Sequence, residues 1–150
     1  MPPPALLNAL REMAREQPVT VTVRGGCMAP RIVEGDRVAV VPARFYRPGD
    51  ILVVRAADGR WLVHRLLGWR RRHGALALVT QGDGCVAADA PVPLRHVLGR
   101  VVGPAGRVTW GDRLRAVSAF LRLALRSLIR RVRPIRPIRP MPSAPASTAR

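Results

Sequence analysis

Four residues of this chain have types and an order suited to nucleophilic chemistry: Cys27, His64, Asp83 and Asp89. Cys27 follows Gly25-Gly26 directly after the alternating run Val19 to Val23. A glycine-permitted turn at a strand end leaves such a side chain reachable. A thiol becomes a nucleophile on deprotonation, a histidine supplies the base, and a carboxylate orients the imidazole. Composition narrows the choice of base, because all 26 basic residues are arginine and the chain has no lysine. Arginine stays protonated, so a lysine-based dyad is impossible, and His64, His73, His96 and nine carboxylates remain.

Each of these residues also has a plainer reading. A cysteine in a valine-rich chain commonly fills the core. His64 alternates with Leu62 and Leu66, as a half-buried strand histidine would. Asp36 and Asp50 follow glycines at turns, where a carboxylate bonds local N–H groups. His73 sits in a run of arginines as a solvated turn residue, His96 has no assigned role, and Cys85 lies two residues after Asp83. Three histidines and two cysteines at wide spacing predict no metal site and no cofactor.

The elements that must position these groups are short. Runs of β type cover 19–24, 37–42, 50–55, 61–69, 75–80 and 94–102, separated by glycine, proline and aspartate. Asp58-Gly59 marks a hairpin. The expected fold is mainly β, a small coiled antiparallel domain over 19–103. A lead-in over 1–18 holds a short helix with Leu6, Leu10 and Met13 on one side; it lacks the basic start and unbroken apolar run of a secretory signal.

The C-terminal part has a different composition. Thirteen arginines stand against eight acidic residues up to residue 89, and thirteen stand against Asp112 alone beyond it. Residues 104–133 predict a linker and a helix from Arg113, with Leu114, Val117, Leu121, Leu125 and Leu128 on one face and arginines opposite. No uncharged stretch reaches the roughly 20 residues of a membrane-crossing helix. Such a helix either lies in an anionic membrane interface or packs its apolar face on the domain or on a copy of itself. Residues 134–150, rich in proline and arginine, are expected to be extended and then disordered.

The order of short boxes is more specific than the composition. Gly26-Cys27-Met28-Ala29-Pro30, Gly35-Asp36, Arg47-Pro48-Gly49-Asp50-Ile51, His64-Arg65, Gly82-Asp83 with Asp89, and Leu98-Gly99-Arg100 follow one another over 19–103. This series resembles the superfamily of signal peptidases and SOS-repressor autoproteases, in the branch whose base is histidine. The resemblance implies that Cys27 takes the place of the nucleophilic serine, His64 that of the base, and Asp83 and Asp89 those of the acidic residues supporting it. It also implies an extended peptide or precursor protein as substrate, bound beside a strand. Two departures stand out: the thiol, and Gly25 where many relatives carry a serine that helps stabilise the oxyanion. Backbone N–H groups, that of Cys27 included, would then do this work.

Two other classes compete with this endopeptidase: a homologue that binds peptides without cutting, and an arginine-rich nucleic-acid binder. The tail has no groove-reading motif and few aromatic residues, so no specific nucleic-acid partner is expected. With two unpaired cysteines, a reducing, cytoplasmic location is expected, with the basic helix at the inner face of the membrane.

Overall fold

The computed structural model describes residues 4–72 and 74–132; His73 and the Pro/Arg-rich segment read above as extended lie outside them. Seven strands form one antiparallel sheet: β1 (Val19–Thr22), β2 (Arg37–Val41), β3 (Ile51–Arg55), β4 (Trp61–Arg72), β5 (Ala75–Gln81), β6 (Val92–Pro93) and β7 (Val97–Val102). Their spatial order is β1-β2-β7-β3-β4-β5-β6, so β1 and β6 are the edges. The sheet curls into a half-barrel, flanked by helix α1 (Pro4–Glu16) and helix α2 (Trp110–Val132). This is the mainly β, coiled antiparallel architecture that the sequence predicts.

Strand β3 sits at the centre and is buried along its whole length. Its period of two divides the interior. Ile51 and Val53 pack with Met28, Ile32, Val38, Val40 and Leu98, whereas Leu52 and Val54 pack with Tyr46, Leu66, Leu78 and Val97. Both faces of this strand are therefore buried, and of these two clusters only the first receives helix residues.

Helix α1 covers the first cluster, but with a different side from the one expected. Leu7 and Ala14 are buried and Leu10 is partly so, while Leu6 and Met13 are exposed. Arg11 decides this rotation, since its Nε donates to Val97 O at 2.7 Å and its Nη2 to Leu94 O at 2.9 Å. Residues 7, 11 and 14 form one helical stripe, and the arginine in it faces carbonyls instead of water.

Two further expectations are corrected. The last β run, expected over 94–102, starts only at Val97, because Leu94–His96 forms a 3-10 turn, and the short strand β6 before that turn was not expected. Pro93, which has no N–H to donate, occurs in the edge strand β6, where that loss is tolerated. Helix α2 begins at Trp110, before the expected Arg113. Its start is set by a reciprocal cap: Asp112 N–H donates to Thr109 Oγ1 at 3.1 Å, and Thr109 N–H donates to Asp112 Oδ2 at 2.9 Å.

A bulge in β4 between Leu66 and Gly68 lets successive leucines serve different clusters. Leu66 enters the β3 core, while Leu67 joins Val79 and the α2 residues Ala116, Phe120 and Leu123. Gly68 makes that docking possible. A Cβ there would lie 2.7–2.9 Å from the Phe120 ring, so the ring rests directly on the strand backbone.

Candidate functional site

Cys27 lies in the turn that leaves edge strand β1. Gly25 has φ +80°, a conformation glycine adopts without strain and serine does not. The residue expected as an oxyanion donor is thus absent where the backbone itself calls for glycine. Ala29 N–H donates to Gly26 O and Ile32 N–H to Met28 O, both at 3.1 Å. Met28 and Ile32 are fully buried and anchor the turn in the core, leaving Cys27 half-buried above them.

A second turn, 82–85, closes against the first. Gly84 N–H donates to Cys27 O at 2.9 Å, and a Cβ on Gly82 would stand 2.6 Å from that same oxygen and 2.8 Å from Cys85 Sγ. Only glycine admits this approach. Cys85 therefore neighbours Cys27, and its presence is felt in the thiol's acidity. Burial pushes the Cys27 thiol up, Cys85 adds to this, the residue's own backbone N–H opposes it, and Asp89 raises it further. Cys27 rests as a neutral thiol, so any attack by it needs a base.

His64 and Arg65 are consecutive on β4, so they point to opposite sides of the strand, and both are buried. His64 Nδ1 pairs with Asp89 Oδ2 at 2.5 Å, and Thr80 Oγ1 donates to the same oxygen at 2.7 Å. Asp89 N–H in turn donates to Thr80 O at 2.8 Å, fixing the carboxylate to β5. A carboxylate at Nδ1 favours the tautomer protonated there, which leaves Nε2 as the lone pair able to accept a proton.

Asp83 has a different partner. Arg65 Nε and Nη2 donate to its two oxygens at 2.7 and 2.6 Å, a bidentate pair, while Nη1 donates to Gly49 O at 2.8 Å. The Nη1 atom also lies 3.9 Å from Asp112 Oδ1, and Arg31, just after the Cys27 turn, reaches Asp112 at 3.0 Å. Burial works to lower the Arg65 pKa, but the hydrogen bonds and charge of Asp83, with the charge of Asp112, overcome it and the net shift is upward. Burial likewise works against ionisation of Asp112; the Thr109 bonds and the charges of Arg65 and Arg31 prevail and hold it at about 2.

Of the four candidates, His64 and Asp89 are thus joined directly, Cys27 is coupled to Asp89 through its charge, and Asp83 is turned to Arg65. Among the described residues, no hydrogen bond joins the Cys27 sulfur to His64. Asp36 and Asp50 accept from Val33 N–H and Arg47 N–H at 2.9 Å, the local turn roles anticipated for them. Sequence reasoning missed Thr80, although its place on β5 opposite Leu66 carries it toward the His64 side of the sheet. It also missed the Arg31–Asp112–Arg65 connection, for which the Thr109-x-x-Asp112 capping pattern was the available signal. No group of three or more His, Cys, Asp or Glu side chains among the described residues is arranged to hold a metal.

Next to Asp89 opens a cavity of about 670 Å³, lined by Arg55, Arg60, Arg72 and Arg95, by Asp58, which pairs with Arg60 at 2.6 Å, and by apolar residues that include Leu62 and Val92. The model of the Peptidase S24-like family matches residues 6–84, more than half of the chain. The chain belongs to that family. No curated protein matches it.

Proposed function

We propose that this chain is an endopeptidase in which Cys27 is the nucleophile, His64 the base, and Asp89 the residue that orients it. His64 Nε2 takes the thiol proton as Sγ attacks the scissile carbonyl carbon. Collapse of the tetrahedral adduct breaks the C–N bond, and the departing amine carries off the proton held by His64. Water then attacks the thioester by the same route and frees Cys27. The developing oxyanion falls to backbone N–H groups, the Cys27 N–H beside the sulfur among them. Asp83 acts at one remove, by holding the 82–85 turn against Cys27 O through Arg65.

One observation carries this reading: a buried imidazole held by Asp89, a carboxylate that Thr80 fixes in turn and that also bears on the thiol of a turn at a strand end. The substrate is an extended peptide or precursor segment. Strand β1 is an edge whose free side can pair with such a segment immediately before the nucleophile. The arginine-bordered cavity beside Asp89 suits an acidic side chain some residues from the scissile bond.

The test is a mixed peptide library read by mass spectrometry, with Cys27→Ala as control. Cleavage should require Cys27 and favour peptides with an acidic residue at a fixed offset. Alkylation at near-neutral pH should label Cys27 faster than Cys85, and His64→Ala should slow it. Cleavage surviving in the alanine variant would sink the assignment. A second reading, peptide binding without cleavage, is favoured by the raised thiol pKa and the missing sulfur–imidazole bond. Equal labelling of both cysteines, indifferent to His64, together with peptide binding would select it.

A further inference from the structure

We infer that the outward face of α2 is a docking surface for an anionic lipid bilayer, along which the helix lies flat. The helix docks on the sheet with Ala116, Phe120 and Leu123. On its other side Trp110, Leu114, Val117, Leu121, Leu125 and Leu128 are all exposed, from 41% at Val117 to 81% at Trp110. At about 100° per residue these six fall within one sector of roughly 80°, along about 27 Å of helix. Clamping a helix to a sheet takes one apolar stripe, and this helix has two.

Charge selects the occupant. Arg115, Arg122 and Arg126 are exposed and follow the outer row along one edge. The segment's one acid, Asp112, is buried and spent on Thr109, Arg31 and Arg65. Pairing with a second copy of this face would bring arginines near arginines with no acid between them. A bilayer with anionic headgroups instead takes the leucine row into its acyl boundary and the arginines at its phosphates. No helix among the described residues is long and apolar enough to cross a membrane, so the contact lies in the interface plane.

Flotation of the full-length protein with vesicles tests this. It should float with phosphatidylcholine vesicles containing phosphatidylglycerol and far less with phosphatidylcholine alone. Arg115→Glu/Arg122→Glu/Arg126→Glu should weaken binding by about a hundredfold or more at low salt. Leu121→Ser/Leu125→Ser should also detach the protein while cleavage of a soluble peptide stays at the parent rate, which separates this inference from the peptidase assignment. Should either variant unfold, quenching of the native chain by brominated acyl chains, lost in Trp110→Phe, decides the matter. Vesicle binding indifferent to the leucines would reduce the effect to charge alone and overturn the inference. So would a dimer that the leucine variant splits, with no flotation.

Discussion

The two sides of strand β4 handle a buried charge in opposite ways. On one side His64 meets Asp89, a pair whose proton can move; on the other, Arg65 meets Asp83 with a cation that never titrates. Both carboxylates come from the short segment 83–89, and both pairs are part-buried at hydrogen-bond distance. What differs is the number of elements joined. Asp89 ties β4 to β5, whereas Arg65 gathers the 82–85 turn, the Arg47–Asp50 turn and the cap of α2. One side holds a titratable pair, and the other a fixed cation that ties three elements together.

Substitutions can break this contrast. The largest effect is expected from Arg65→Met, which leaves Asp83 and Asp112 without their shared cation. Removing one partner of a buried pair costs about 3–5 kcal/mol, so urea unfolding should show a loss of that size. Arg65→Lys should recover only part of it, since an ammonium cannot make the bidentate contact. On the opposite side, Asp89→Asn should change stability by about 1 kcal/mol or less and yet slow Cys27 alkylation and peptide cleavage on the order of a hundredfold. If the arginine variant were as stable as its parent, or the asparagine variant as active, the division of labour would fail.

Smaller effects sharpen it. Gly68→Ala forces a methyl into the Phe120 ring and should cost about 1–3 kcal/mol, seen as a lower melting temperature. Acid should reach the latch through Asp112. Its folded pKa of about 2 lies below the ordinary 3.8, so its contribution is full above that ordinary value and fades as pH falls towards 2. The expected loss is about 1–2 kcal/mol between pH 5 and pH 2, and Asp112→Asn should flatten that part of the stability curve.

Much of the fold was legible because it rests on local rules. Alternation located the strands, and Asp58-Gly59 produced the predicted turn, with Gly59 at φ +85° and Arg60 N–H donating to Asp58 Oδ1 at 3.0 Å. The family was legible from six weak boxes in order, and residues 6–84 match its model. The parts that escaped depend on contacts across the chain. Whether Leu6 or Leu7 faces inward is decided by carbonyls at 94 and 97 that receive Arg11. That Asp83 would meet Arg65 and Asp89 would meet His64 follows from how a seven-residue segment turns beside β4, which composition does not encode. The outward leucine row of α2 was visible as periodicity, but only the structure reveals that a different stripe of the same helix does the docking.

The Arg31–Asp112–Arg65 connection bears on where the folding unit ends. The matched segment stops at residue 84, and the carboxylate that joins the Cys27 loop to Arg65 is supplied 28 positions later. A version of this protein cut before Thr109 would keep every residue assigned to the chemistry and still lack the counter-ion between two of its arginines. During synthesis the same order applies, for Asp112 emerges only after all seven strands have been made.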